Sequence, residues 1–304
     1  MLSLDDFKKI HLEDKPIFDA HYQHYPPLHS GELFTTMISW GDYVEYRYAK
    51  IDDTIIILSK DKNGTVLHPP SGKNNIDLFK QVMKLALKED SIFGFIKQTE
   101  KDIILKQFPT LKILEDRDFY DYVYRTTDLA NLSGTKYGKI RNRLNKFIKN
   151  YSYTTEEITE NNMDEVKEFL KRWCLWKDCS SDELLENEHK AIIYSMKHFF
   201  DFNLKGLGLR IDGTIQAITV YEKMNNDTVV VHFEKGSPDY DGIYKAINME
   251  TAQRVQHIVP FIDREEDLGI PGLRQAKLSY QPDHFIELYY TTKESLRTTI
   301  PDSL

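Results

Sequence analysis

One order of hydrophobic and polar positions runs along this chain twice. Apolar and β-branched runs at 34–40, 44–51, 54–59 and 65–68 predict strands, with Asp52-Asp53 and Asn63-Gly64 as tight turns between them. A helix is expected at 76–88, where Ile76, Phe79, Val82, Met83, Ala86 and Leu87 fall at helical spacing. An apolar run at 92–96, a short helix at 100–107 and an aromatic strand at 119–124 complete the series. The second series has strands at 204–211, 214–222 and 228–234, with turns at Asp212-Gly213 and Asn225-Asn226. It continues with a helix at 242–256, an apolar run at 257–262, a short helix at 273–278 and an aromatic strand at 285–290. Segments 127–151, 163–177 and 181–199 lie between the series and read as opening helices of a second domain.

The repeated order predicts an α/β fold (α+β) of two tandem domains, each a mostly antiparallel mixed sheet flanked by helices. The turn-rich stretch 126–134 marks the expected seam, giving domains 1–130 and 131–304. Length agrees, since 304 residues exceed what one hydrophobic core usually serves. A net charge of −8 argues against a general DNA binder, which should be basic. No apolar run approaches 18 residues and the first residues lack a signal-peptide pattern, so a cytoplasmic protein without a transmembrane segment is expected. The two cysteines, Cys174 and Cys179, lack the spacing of a zinc motif and are expected as reduced thiols.

Three stretches carry more specific information: 122–147, 232–248 and 263–280, the last reading DREEDLGIPGLRQAKLSY. Together they resemble the family typified by the C-terminal part of phosphatidylglycerol lysyltransferases. That resemblance implies two tandem acetyltransferase-like domains over roughly residues 18–290. It also implies transfer of an acyl or aminoacyl group to an amine or hydroxyl. The implied donor is aminoacyl-tRNA, with acyl-coenzyme A as the alternative and no tightly bound cofactor. A small molecule or lipid would be the acceptor, and tRNA a partner.

The residues supply candidates for that chemistry. His232 and Glu234, on one strand, are expected to share a face, with Val229, Val231 and Phe233 on the other. A half-desolvated Glu234 could take the proton that an acceptor amine must lose. Arg264, Glu265, Glu266 and Asp267 precede Arg274 and Lys277, which share a helical face. Acids there could grip an aminoacyl ammonium while Arg264 or Lys277 steadies an oxyanion or phosphate. Structural ion pairing is the competing reading of the same charges. The 136–149 helix carries six cations, of which Arg141 projects beside the apolar stripe, either as a snorkelling side chain or as a phosphate clamp.

Candidate catalytic residues are therefore Glu234, Arg264, Asp267 and Lys277. Candidate substrate-binding residues are Tyr137, Lys139, Arg141, Asn142, His232, Asn248, Glu265 and Arg274. No metal ligand set is expected, because Pro26 and Pro27 break any helix that would align His21, His24 and His29. Two other functions fit the same residues: a coenzyme A-dependent N-acetyltransferase and a non-catalytic binding protein. The 236–242 loop bears two acids and a proline where a pyrophosphate loop would be glycine-rich, which disfavours the first.

Overall fold

The computed structural model describes residues 2–300. The strands in chain order are β1 Lys8–Lys9, β2 Glu45–Ile51, β3 Thr54–Asp61, β4 Gly64–Leu67, β5 Ile92–Lys97, β6 Ile113–Glu115 and β7 Asp121–Arg125. They continue as β8 Tyr153–Glu157, β9 Lys205–Ile211, β10 Thr214–Lys223, β11 Thr228–Gly236, β12 Phe261–Asp263, β13 His284–Ile286 and β14 Leu288–Thr291. Two compact units result: one of residues 2–27, 31–120 and 286–300, the other of residues 28–30 and 121–285. The division thus falls at Tyr120 rather than at the expected 130, and the last strand returns to the first unit.

The first unit's sheet has the order β1-β2-β3-β4-β5-β14-β6, and the second unit's has the order β13-β7-β12-β11-β10-β9-β8. Each contains an antiparallel meander and a parallel pair, β4 with β5 in the first and β11 with β12 in the second. A parallel pair needs a long crossover, and in each unit a helix supplies it: Ile76–Lys88 in the first and Ile243–Val255 in the second. These are the mostly antiparallel mixed sheets flanked by helices that the repeated pattern predicts.

Local chemistry fixes several boundaries. Asn75 caps the Ile76–Lys88 helix by accepting from the Asp77 and Leu78 N–H groups at 3.1 Å, and Asp182 caps Glu183–Lys197 in the same way. The β9–β10 hairpin turns through Asp212 and Gly213, both with positive φ. In β11 every residue but Glu234 is buried, as in a central strand covered on both faces.

Three further expectations fail at the level of single elements and bonds. Residues Phe34–Ser39 form a short helix, not a strand. The 285–290 stretch is two strands, β13 and β14, in different sheets. Cys174 and Cys179 are joined as a disulfide and do not stand as two reduced thiols. No helix of the described residues is long and apolar enough to cross a membrane.

Candidate active site

The site in the second unit is organised by an irregularity in β11. Thr219 pairs with Glu234 and Tyr221 with Val231, so His232 and Phe233 together stand opposite Val220. Cross-strand partners point to one face, and an extra residue resets the alternation beyond it. Glu234 therefore lies on the same face as Val231 and Val229, which pack with Ile243, Ala246 and Ile247 of the crossover helix. His232 lies on the other face. The expectation that His232 and Glu234 share a face, opposite Val229 and Val231, is overturned by this bulge.

On the crossover-helix face, Arg264 donates to Glu234 at 3.1 Å and Asn248 donates to it at 3.3 Å. The Arg264 guanidinium also sits 5.0 Å from the Tyr280 ring centre. Two buried oxygens beside this pair have no hydrogen-bond partner: Asn248 Oδ1 and Thr219 Oγ1, the latter on the residue facing Glu234 across the ladder. Lys245 lies one turn before Asn248 and rests 4.7 Å from the Tyr280 ring centre. Burial, then the Arg264 charge, pulls its pKa down to about 8.

After β12 the chain makes a tight loop in which Glu265, Leu268 and Gly269 have positive φ. Asp267, fully buried, clasps it by accepting from Arg274 at 2.8 and 2.7 Å, from the Gly269 N–H at 2.9 Å and from the Tyr122 hydroxyl. Burial opposes ionisation of this carboxyl, but Arg274, Tyr122 and the Gly269 N–H outweigh it and hold its pKa at about 2. Lys277 reaches back from the Pro271–Ser279 helix and donates to the carbonyls of Arg264 and, at 3.1 Å, Glu265. Two of its three N–H donors are thus spent on the loop backbone. Burial, then Arg264, depresses its pKa.

The opposite face carries a separate polar cluster. His232 is bonded at 2.8 Å to both Glu222 and Glu265. Burial alone would discharge the ring, yet the two carboxylates outweigh it and raise its pKa to about 10. Asp263 and Asp121 are both fully buried nearby, and burial plus the Asp121 charge drives the Asp263 pKa well up. Burial, then Glu265 and Asp121, pushes Glu266 up to about 8.

The basic helix contributes less than its charge suggests. In Gly138–Asn150, Lys139 and Asn142 are exposed, and Arg141 donates to the carbonyls of Leu132 and Gly134 at 2.5 and 2.9 Å. Tyr137 is buried and donates to Asp128 at 3.2 Å. Arg143 and Lys146 pair with Asp241, just before the crossover helix. Gly242 follows with φ +100°, and a Cβ there would lie 3.0 Å from the Arg143 carbonyl oxygen. Gly242→Ala is accordingly expected to cost about 1–3 kcal/mol of stability in urea unfolding. An unchanged midpoint would show that this junction relaxes freely.

The structure therefore joins Glu234, Arg264 and Asn248, while Lys277 holds the Arg264–Glu265 backbone and Asp267 with Arg274 holds the loop beyond it. It sets His232 with Glu265 on the far side of β11. None of the hydrogen bonds or ion pairs described for Tyr137, Lys139, Arg141 or Asn142 joins them to that group.

Residues 22–292 match the model of the family described as phosphatidylglycerol lysyltransferase, C-terminal. The chain belongs to this family. A conserved protein of unknown function from Bacteroides thetaiotaomicron has a similar structure (TM-score 0.85, 32% identity, 93% of this chain and 98% of that one). The structure of L-PGS from Bacillus licheniformis shares the fold (TM-score 0.62, 16% identity, 92% of each chain). An uncharacterised protein of Mycoplasmoides gallisepticum is 28% identical over 172 residues, 56% of this chain. The match spans about half of that relative, 54% of its length.

Within this phosphatidylglycerol lysyltransferase-type domain, sequence reasoning missed Lys245 and Thr219. Lys245 had a legible signal, since it lies three residues before Asn248 on a helix following the Glu234 strand. Thr219 had none, because only the register of β10 against β11 sets it opposite Glu234.

Proposed function

We propose that the second unit transfers an activated acyl or aminoacyl group to an amine or hydroxyl acceptor at the Glu234–Arg264–Lys277 end of its sheet. One observation carries this reading. A charged pair, two unpartnered buried oxygens and Lys245, whose pKa is depressed, gather at the end of a central strand, and Lys277 is tied to the backbone of Arg264, a member of that pair. Buried polar atoms without partners cost about 1–3 kcal/mol each, and a polar substrate repays that cost when it binds. Membership of the family favours aminoacyl-tRNA as donor, with a small molecule or lipid as acceptor.

In this scheme the remaining N–H of Lys277 donates to the carbonyl oxygen as negative charge develops on it. Arg264 is kept in place by Glu234 and backs that oxygen or a donor phosphate. Lys245, neutral in part near pH 8, takes the proton released as the acceptor attacks. Asp267 and Arg274 are positioning residues that fix the loop carbonyls to which Lys277 is tethered.

The decisive experiment follows labelled amino acid from aminoacyl-tRNA to amine acceptors and to phosphatidylglycerol vesicles. Transfer should appear with the native chain; absence of transfer with every acceptor would count against the reading. The rate should rise about tenfold per pH unit up to about pH 8 and then level, because only the neutral lysine accepts a proton. Lys245→Met should remove that rise. If the variant keeps the native profile, the base is another group.

Coenzyme A dependence is the neighbouring alternative, and the 236–242 loop speaks against it. Asp239 and Asp241 present negative charge there, and the nearby cations Arg143 and Lys146 are already paired with Asp241. A melt with acetyl-coenzyme A should show no shift. Binding at a hundred times Kd would add about 2.7 kcal/mol, and a clear rise would put coenzyme A first.

A further inference from the structure

Helices Met163–Lys177 and Glu183–Lys197 of the second unit are joined by a short turn that none of the chemistry above uses. Cys179 lies in that turn and Cys174 in the last turn of the first helix. Asp178 ends the first helix in the left-handed conformation, which folds the chain back and brings the Cα of Cys179 to 5.3 Å from that of Cys174. His189, ten residues on, lies on the second helix. One ring nitrogen of His189 and the two sulfurs all lie within 4.8 Å of one another. No other such grouping of three His, Cys, Asp or Glu side chains occurs among the described residues.

His189 Nδ1 is buried and has no hydrogen-bond partner. Other histidines of the chain are served: His21 by Ser71, His68 by Ser59, and His232 by two glutamates. An imidazole beside two sulfurs, with a buried nitrogen unserved by hydroxyl or carboxylate, is the donor set of a thiophilic cation.

We propose that Cys174, Cys179 and His189 form a redox-gated site for one thiophilic divalent cation of the zinc class. In the oxidised state the sulfurs are bonded to each other and offer no thiolate. A dithiol reductant delivers two electrons and two protons to the bond, gives two thiols, and is itself converted to a disulfide. The cation then displaces two thiol protons, and the thiolates neutralise its charge. Bond lengths of about 2.3 Å to sulfur and about 2.0–2.1 Å to nitrogen put tetrahedral ligand atoms about 3.3–3.8 Å apart. Opening the disulfide and rotating side chains reaches that from the present spacing. The fourth position is left to water. Magnesium and calcium prefer oxygen ligands and are not expected to bind.

Cobalt(II) is the probe. The full chain, reduced and freed of reductant without air, should take up one equivalent with the intense visible bands of tetrahedral cobalt and a thiolate charge-transfer band. Zinc should bleach them, and the oxidised chain should give neither. Cys174→Ser and Cys179→Ser should each abolish the charge-transfer spectrum. His189→Gln leaves both thiols intact and should weaken binding by more than about tenfold, with shifted bands. Melting curves of the variants in reducing buffer show whether they are folded. The proposal is overturned by a folded, reduced native chain that gives no tetrahedral spectrum. It is equally overturned by a spectrum that survives the serine substitutions, or by unchanged affinity in His189→Gln.

Discussion

Lys277→Met is expected to slow aminoacyl or acyl transfer about 10²–10³-fold while the protein stays folded. Methionine keeps much of the volume of a side chain that is 9% exposed, so the loss reads charge and hydrogen bonding, not packing. The native ammonium is tied to the carbonyls of Arg264 and Glu265, which fixes where its third N–H lies before substrate arrives. A donor held in place needs no reorganisation when charge develops, which is why such groups carry so much of a rate enhancement. Arg264→Met should also lower transfer, and it strips Glu234 of its charged partner. Single-turnover transfer, with a thermal melt of each variant, checks both. Native rates in Lys277→Met would remove that lysine from the reaction.

His232→Gln should give the largest loss of stability, about 2–3 kcal/mol near pH 6.5 in urea unfolding, because it leaves Glu222 and Glu265 without the charge between them. The imidazolium's folded pKa is about 10, above the ordinary 6.5. Its contribution is fully present below pH 6.5 and is lost as pH rises through about 10. The native protein should therefore lose stability across that window, and the glutamine variant should lose less. Identical pH dependence in the two proteins would show that His232 is not charged in the folded state. His232 stands on the far side of β11 from Glu234, but it holds Glu265, whose carbonyl accepts from Lys277, so the stability change is read in unfolding and not from the transfer rate.

The sequence disclosed the elements whose period was clear. The Ile76–Lys88 helix, the β9–β11 meander and the crossover helix are all legible from spacing and turn residues. Residues 34–39 misled because Phe34, Thr35, Met37 and Ser39 are all buried, so the segment shows no amphipathic alternation and its β-branched and aromatic content suggests a strand. The stretch 285–290 reads as one aromatic run because nothing in its composition marks Glu287 as the change of sheet. The charged string at 264–277 points to the right loop, but charge alone does not separate Lys277 and Arg264 from Asp267 and Arg274. Their division follows from which carbonyls and carboxylates each one meets. The bulge at His232 is invisible in sequence, since it exists only against β10.

β14 sits between β5 and β6, in the interior of the first unit's sheet, although it comes from the far end of the chain. Until Leu288–Thr291 leaves the ribosome, β5 lacks a neighbour on one side and β6 lacks the strand that joins it to the sheet. The second unit, complete apart from residues 28–30 in one continuous stretch, has all its strands but the last of β13 by Phe285. Synthesis therefore reverses the usual order in which the amino-terminal domain matures first. A chain halted near residue 285 would release a finished second unit attached to an unfinished first one, with an open strand edge exposed to aggregation.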